Sequence, residues 1–304
     1  MQWSGRMLAV VKQNLWWCVL GGVWLAILAL QPNLDSLITG YGAFSALGII
    51  GAVFANATGA GGGVVFVPFF HHLGLNATQI VATSFAIQCF GMTVGAITWG
   101  QYYRRHQQNN VHWQPLSSAL ILCIPAAIGG LLLAQWGAHL PAFGWFTQHL
   151  ARVHIGFGFF SIVLGLAILA SIPLLKRTSF QKNLSTVDII MLPFIAFSGG
   201  IITAWLSVGV GELVAVYLII RRFNITMAIA VAVILTAVCV WCAMAFHWLQ
   251  THAVVWQIVL FAGVGAAVGG RLAKHVVLAF DVKHLKIFFG IWVLLMGVGA
   301  LPLF

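Results

Sequence analysis

The chain has 304 residues, of which 62% are hydrophobic and only 6% charged, where a soluble domain carries roughly a quarter charged residues. Its net charge is +10, from 14 Lys and Arg against 4 Asp and Glu, and nearly all the basic residues fall between apolar runs. This excludes a soluble globular domain, and it excludes a nucleic-acid binder because no basic segment stands apart from those runs. The apolar runs are continuous rather than alternating, which excludes a transmembrane β-barrel. The class predicted is an all-α polytopic membrane protein in a lipid bilayer.

Residues 1–14 carry Arg6 and Lys12 and lead into an apolar run from Leu15 to Leu30. A basic start before such a run also describes a signal peptide. No small-residue cleavage site follows, and Gln31-Pro32-Asn33 reads as a loop, so the run is read as a retained first span.

Residues 43–75 hold the stretch that organises the rest. Gly59-Ala60-Gly61-Gly62-Gly63 puts four glycines in five positions inside an apolar run. Glycine is a poor helix former, so a break between two half-helices is expected there. A break leaves backbone N–H groups unpaired, and hydrocarbon cannot satisfy them, so it must be buried in protein or line a wet cavity. The half-helix starting near Val64 aims its positive end at the break, which favours an anion. A span follows over 77–99, entered through Asn76-Ala77-Thr78, then a polar loop from Gln101 to Gln114 with Arg104 and Arg105. Further spans are expected over 115–136 and 154–174, and Lys176, Arg177 and Lys182 mark another basic loop. A second broken element covers 188–220 around Ser207-Val208-Gly209-Val210-Gly211-Glu212, and spans follow over 225–247, 252–270 and 284–303.

An internal repeat is visible. A shift of 148 aligns Gly61 with Gly209, Gly63 with Gly211, Asn76 with Asn224 and Thr78 with Thr226. A shift of 140 aligns Ala126-Ala127-Ile128-Gly129-Gly130 with Ala266-Ala267-Val268-Gly269-Gly270, and the polar loop at 101–114 is expected to lack a counterpart after His247. The chain divides into an N-terminal tail and first helix (1–42), a first repeat (43–175) and a second (176–304), together one membrane domain. If each broken element enters and returns as a helical hairpin, Arg6, Lys12, Arg104, Arg105, Lys176, Arg177, Lys182, Arg221, Arg222, Arg271, Lys274 and Lys283 share one side, leaving Arg152 and Asp35 on the other. The positive-inside rule prefers that arrangement to one in which each broken element crosses once. It predicts two inverted repeats, each a glycine-broken hairpin plus three transmembrane helices, with one extra N-terminal helix. The N-terminus is then cytoplasmic and the C-terminus outside.

The run Gly59-Ala60-Gly61-Gly62-Gly63, with Val67-Pro68, Gly74-Leu75 and Ala82-Thr83-Ser84 after it, resembles the first-repeat signature of the TauE/SafE sulfite exporter family. Leu206-Ser207-Val208-Gly209-Val210-Gly211 is similar to that family's second glycine motif. The resemblance runs from about residue 43 to the end of the chain. It implies a secondary transporter of the bacterial inner (cytoplasmic) membrane, exporting sulfite, an organosulfonate or a related sulfur oxyanion. Two departures stand in the second repeat: Glu212 replaces a usual glycine, and Ala230-Val231-Ala232 replaces the polar pair of Thr83-Ser84.

The candidate substrate-binding residues follow from the breaks. Backbone N–H groups of Gly61, Gly62, Gly63, Gly209 and Gly211 can cradle an oxyanion, and Gly59, at the first break, is a candidate with them. Asn56, Thr58 and Ser207 flank the breaks with short polar side chains, and Thr83, Ser84 and Gln88 place polar groups on the following span. Close packing by small residues is the competing explanation for the glycines. Glu212 is the acidic residue deep in an apolar run, and it reads either as a carboxylate satisfied at a helix start or as a proton-coupling group. No catalytic constellation and no metal or cofactor motif is expected, and Cys18, Cys89, Cys123, Cys239 and Cys242 read as structural. His71 and His72 read as loop histidines, and Trp16, Trp17, Trp99, Trp113 and Trp248 as an interfacial belt. The function predicted is an alternating-access carrier of a small anion, not an enzyme. An anion channel, or a membrane subunit of a larger assembly, remains the alternative, and a homodimer stays open.

Overall fold

The computed structural model describes residues 19–137, 150–170, 172, 181–299 and 301. Arg6, Lys12, Trp16, Trp17, Cys18, Lys176, Arg177 and the side chain of Arg152 lie outside the described residues, as does most of the connection after residue 137. Among the described residues every regular element is helical. They fall in two compact units, Met1–Ala43 and Phe44–Phe304. The first holds α1 (Val19–Ala29) and α2 (Leu34–Tyr41), with Asp35 in the first turn of α2.

The second unit holds α3 (Phe44–Thr58), α4 (Gly63–His72), α5 (Ala77–Tyr102), α6 (Pro115–Trp136), α7 (Leu150–Ala170) and α8 (Thr186–Leu206), then α9 (Val210–Ile220), α10 (Ile225–Phe246), α11 (Trp256–Ala279) and α12 (Val282–Gly299). Among the described residues, α5, α6, α8, α10 and α11 are each long and apolar enough to cross a membrane. The predicted starts at Asn76 and Asn224 are side-chain caps in the structure. Each asparagine accepts a hydrogen bond from the backbone three residues on, Gln79 N–H at 2.9 Å and Met227 N–H at 3.0 Å.

Both broken elements double back. In α3 and α4, the Phe44 ring lies 6.1 Å from that of Phe69 and 6.4 Å from that of Phe70, and Gly51 makes room for Phe66. In α8 and α9, Val210 rests against Gly199, and Tyr217 and Arg221 at the end of α9 reach Asp188 in the first turn of α8. The first arm, α8, has 21 residues and measures about 30 Å. It has nearly twice the residues of its 11-residue return arm.

Partners are exchanged between the halves. The start of the first hairpin packs on α11, with Gly48 against Ala262, Gly265 against Ser45 and Gly269 against Ile49. The start of the second packs on α6, with Gly130 against Phe197 and Gly200 against Ala127. Both pairs run parallel, whereas α5 and α10 run antiparallel, as Phe85 beside His247, Cys89 beside Val240 and Gly95 beside Val233 show. It follows that the α3–α4 hairpin opens at the end of the bundle where α5 begins, and α8–α9 at the end where α5 finishes. Arg104, Arg105, Lys182, Arg221, Arg222, Arg271, Lys274 and Lys283 all gather at this second end. The pair α7 and α12 is antiparallel, with Gly158 beside Gly297 and Gly165 beside Gly290.

Two boundaries differ from the sequence reading. The helix expected to stop at residue 270 continues to Ala279, so Arg271 and Lys274 stand on its last turns. Their apolar stems extend the helix while the charges reach its end, and the Lys274 ammonium lies 5.7 Å from the centre of the Tyr102 ring. The loop after α5 was expected to have no counterpart after His247. Both helices instead run on into a π-helical turn, Tyr103–Gln107 and His247–Thr251. The extra length follows that turn and includes the 3-10 turn Val111–Trp113.

Small residues at these crossings allow backbone-to-backbone contact. A Cβ on Gly48 would overlap the Ala262 carbonyl, whereas one on Gly129 would meet only the Phe197 ring at 3.9 Å. Gly48→Ala is expected to lower thermal stability in detergent by about 1–3 kcal/mol. Gly129→Ala is expected to be neutral or slightly stabilising, because alanine suits a helix interior better.

Candidate functional site

The two glycine breaks meet. Residue Gly63 packs against the carbonyl oxygen of Ser207, and Gly211 packs against that of Gly59. These contacts are reciprocal, because Gly63 and Gly211, like Gly59 and Ser207, are 148 positions apart. A Cβ at either glycine would overlap the opposite backbone, so no other residue fits this packing. Left-handed backbone makes the turns, at Gly59 and Gly61 with φ of 79°, Gly209 with φ of 137°, and Ser207 with φ of 58°. Serine tolerates this poorly.

Two long helices flank the junction at matched depth. Gln88 on α5 and Thr236 on α10 each lie 11 residues from the start of their own helix. Because the helices are antiparallel, both sit about 16 Å in from opposite ends, a distance of about half the thickness of a bilayer core.

Gln88 ties the two hairpins together. Its Oε1 accepts from the Gly62 N–H at 2.8 Å. Its amide donates to the Ser207 carbonyl at 3.1 Å, the Ser207 hydroxyl at 2.8 Å and Ser84 Oγ at 3.1 Å. The Ser207 hydroxyl donates to Ser84 Oγ at 3.0 Å. Thr58 shapes the first break, donating to the Phe54 carbonyl at 2.7 Å and accepting from the Ala60 N–H at 3.3 Å. Thr203 plays the same part at the second break by accepting from the Val210 N–H at 2.9 Å.

Several polar groups at the junction are left over. Apart from Gly59, whose N–H donates to Ala55, and Gly62, which donates to Gln88, the glycines here keep their donors free. The buried N–H groups of Gly61, Gly63, Gly209 and Gly211 have no acceptor among the described residues. Among the described residues the Thr236 hydroxyl, beside Gly211, is buried without a partner, and so is Glu212 Oε2. Buried donors without acceptors are rare, and at half-helix starts they mark a place for an anion or ordered water.

The structure thus gathers Thr58, Gly59, Gly61, Gly62, Gly63, Ser84, Gln88, Ser207, Gly209 and Gly211 at one place. Asn56 sits a turn before the first break and holds α3 to α5, donating to the carbonyls of Ala52 and Gly91 at 2.8 and 3.3 Å. Thr83 points to the start of α11 and accepts from the Val255 N–H at 3.0 Å. Thr236 escaped the sequence reading, although the shift of 148 that relates the glycine motifs carries Gln88 onto it. Thr203 escaped because its bond spans a turn that exists only once the hairpin has closed.

At the open end of the second hairpin, the Asp188 carboxylate is fully buried. It accepts from Arg221 at 2.7 Å, Tyr217 at 2.8 Å and the Ser185 N–H at 2.9 Å. The carboxylate holds the Arg221 guanidinium even further above its ordinary value. Among the described residues no group of three or more His, Cys, Asp or Glu side chains is placed to hold a metal ion.

Comparison with curated proteins and with solved structures returns no match. A family model does match, that of the sulfite exporter TauE/SafE, and it covers residues 44–300. That interval contains both hairpins, the reciprocal glycine contacts and each helix packed on them. The chain therefore belongs to the TauE/SafE sulfite exporter family, a family of membrane transporters rather than enzymes.

Proposed function

We propose that this protein is a secondary transporter that carries a small anion, sulfite, an organosulfonate or a related sulfur oxyanion, through the glycine junction by alternating access. The observation that carries the reading is the set of unpaired N–H groups of Gly61, Gly63, Gly209 and Gly211, contributed by hairpins that open at opposite ends of the bundle. Neutral donors suit a transported anion, which must bind firmly enough to enter and weakly enough to leave. The exchanged pairing of α3 with α11 and α8 with α6 supports reading residues 43–175 and 176–304 as inverted repeats.

The end with Arg104, Arg105, Arg221 and Arg222 is read as cytoplasmic by the positive-inside rule, in a bacterial inner membrane, and transport as export. One chain supplies both halves of the junction, so a homodimer would add nothing to the path. The close contact of the breaks favours a carrier over an open channel, because hairpins packed on one another must separate before anything passes.

Thermal stabilisation of the purified protein by a panel of anions tests this. Sulfite, thiosulfate, sulfate and a small sulfonate are compared with acetate and chloride. A bound sulfur oxyanion at a hundred times its Kd is expected to add about 2.7 kcal/mol of stability. The gain should vanish in Gly62→Leu, whose side chain would enter the space of Phe66 and Gln88. Equal response of wild type and variant would remove the site from the junction.

A further inference from the structure

Four acidic residues occur in the chain, Asp35, Asp188, Glu212 and Asp281. Glu212 is 1% exposed, and its Oε2 has no hydrogen-bond partner among the described residues. It lies in the first turn of α9, directly after Gly211, whose backbone touches Gly59 across the junction. One turn on, Val216 packs in an apolar cluster with Ala60, Val64, Leu206, Val208 and Val293, against which Trp205 and Trp292 rest. Position 212 shares that stripe of the helix.

Among the described residues no charge compensates it. On α8, Asp188 is committed to Arg221, Tyr217 and Ser185 at the far end of the hairpin. On α10 the titratable groups are Cys239, Cys242 and, at its end, His247, which bonds Thr251. On α4, His71 and His72 are exposed, and so are Lys283 and His284 on α12. An ionised carboxylate packed this way is strongly unfavourable, and an anion at the neighbouring N–H groups would make it more so.

We infer that Glu212 is a proton site thermodynamically linked to the anion site, so that the anion binds together with one proton held on this carboxyl. The step is balanced: a water-exposed carboxylate takes up H⁺ from solution as the hairpins close, and returns it when they part. This rests on the anion-carrier reading. Its experiment separates the two.

Binding of methanesulfonate is measured between about pH 5.5 and 8, where the sulfonate stays ionised and a carboxylate can titrate. Wild type is expected to bind more weakly as pH rises, approaching tenfold per pH unit, with proton uptake shown by calorimetry in buffers of different ionisation heat. Glu212→Gln, which mimics the protonated side chain, is expected to bind tightly with no pH slope. A Gln variant that keeps the slope, or wild-type binding without proton uptake, overturns the inference while leaving the anion site standing. If neither protein binds any sulfur oxyanion at any pH, the anion reading fails and this inference with it. The wild-type proton count decides the question even should the variant not fold.

Discussion

Gly211→Ala is expected to slow anion exchange in proteoliposomes by about 10- to 100-fold while leaving the protein inserted and folded. The added methyl would overlap the Gly59 carbonyl and the Thr236 hydroxyl, both of which belong to other elements. Overpacking of this kind costs about 1–3 kcal/mol, and here it falls on the arrangement in which the two breaks touch. A carrier passes through that arrangement in every cycle, so its lower population is felt as a lower exchange rate. Gly63→Ala is the reciprocal change, against the Ser207 carbonyl, and should behave alike. Gly156→Ala is the control, since a Cβ there meets nothing within 4 Å. Wild-type exchange by both junction variants would show that the packed breaks are not on the path.

That reciprocity explains why so much of the arrangement could be read from the chain. Four glycines in five residues, repeated in thinner form 148 positions later, announce two breaks, and an apolar setting demands that the breaks be buried. The caps at Asn76 and Asn224 depend on residues three positions away, so they too are local and legible. What stayed hidden depends on pairing at long range. Thr83 and Ser84 are neighbours in sequence, yet successive helical residues point about 100° apart. Ser84 therefore meets Ser207, while Thr83 meets Val255. Asn56 looked like a lining group because it is polar and close to the break. Gly95 opposite leaves space for its side chain against α5, and only the fold brings those two residues together.

The bond network of Asp188 was equally hidden, because its partners lie 29 and 33 positions away. Arg221→Met is expected to lower stability in detergent by about 3 kcal/mol. Breaking a buried ion pair typically costs about 3–5 kcal/mol because the remaining charge is stranded. The lower end applies since the Arg221 side chain keeps 33% of its surface exposed, whereas that of Asp188 keeps none. Tyr217 and Ser185 would still donate to the carboxylate, which limits the loss further. Adding Asp188→Leu to Arg221→Met should recover most of the stability, since the stranded charge goes with it. The transport consequence separates two views of the second hairpin. Asp188 joins the start of α8 to the end of α9, so both arms are fastened at their open end and move as one body. If the breaks part by such rigid movement, the double variant should regain stability but not full exchange, because its arms are free to splay. Recovery of both together would mean that the fastening serves only to hold the fold.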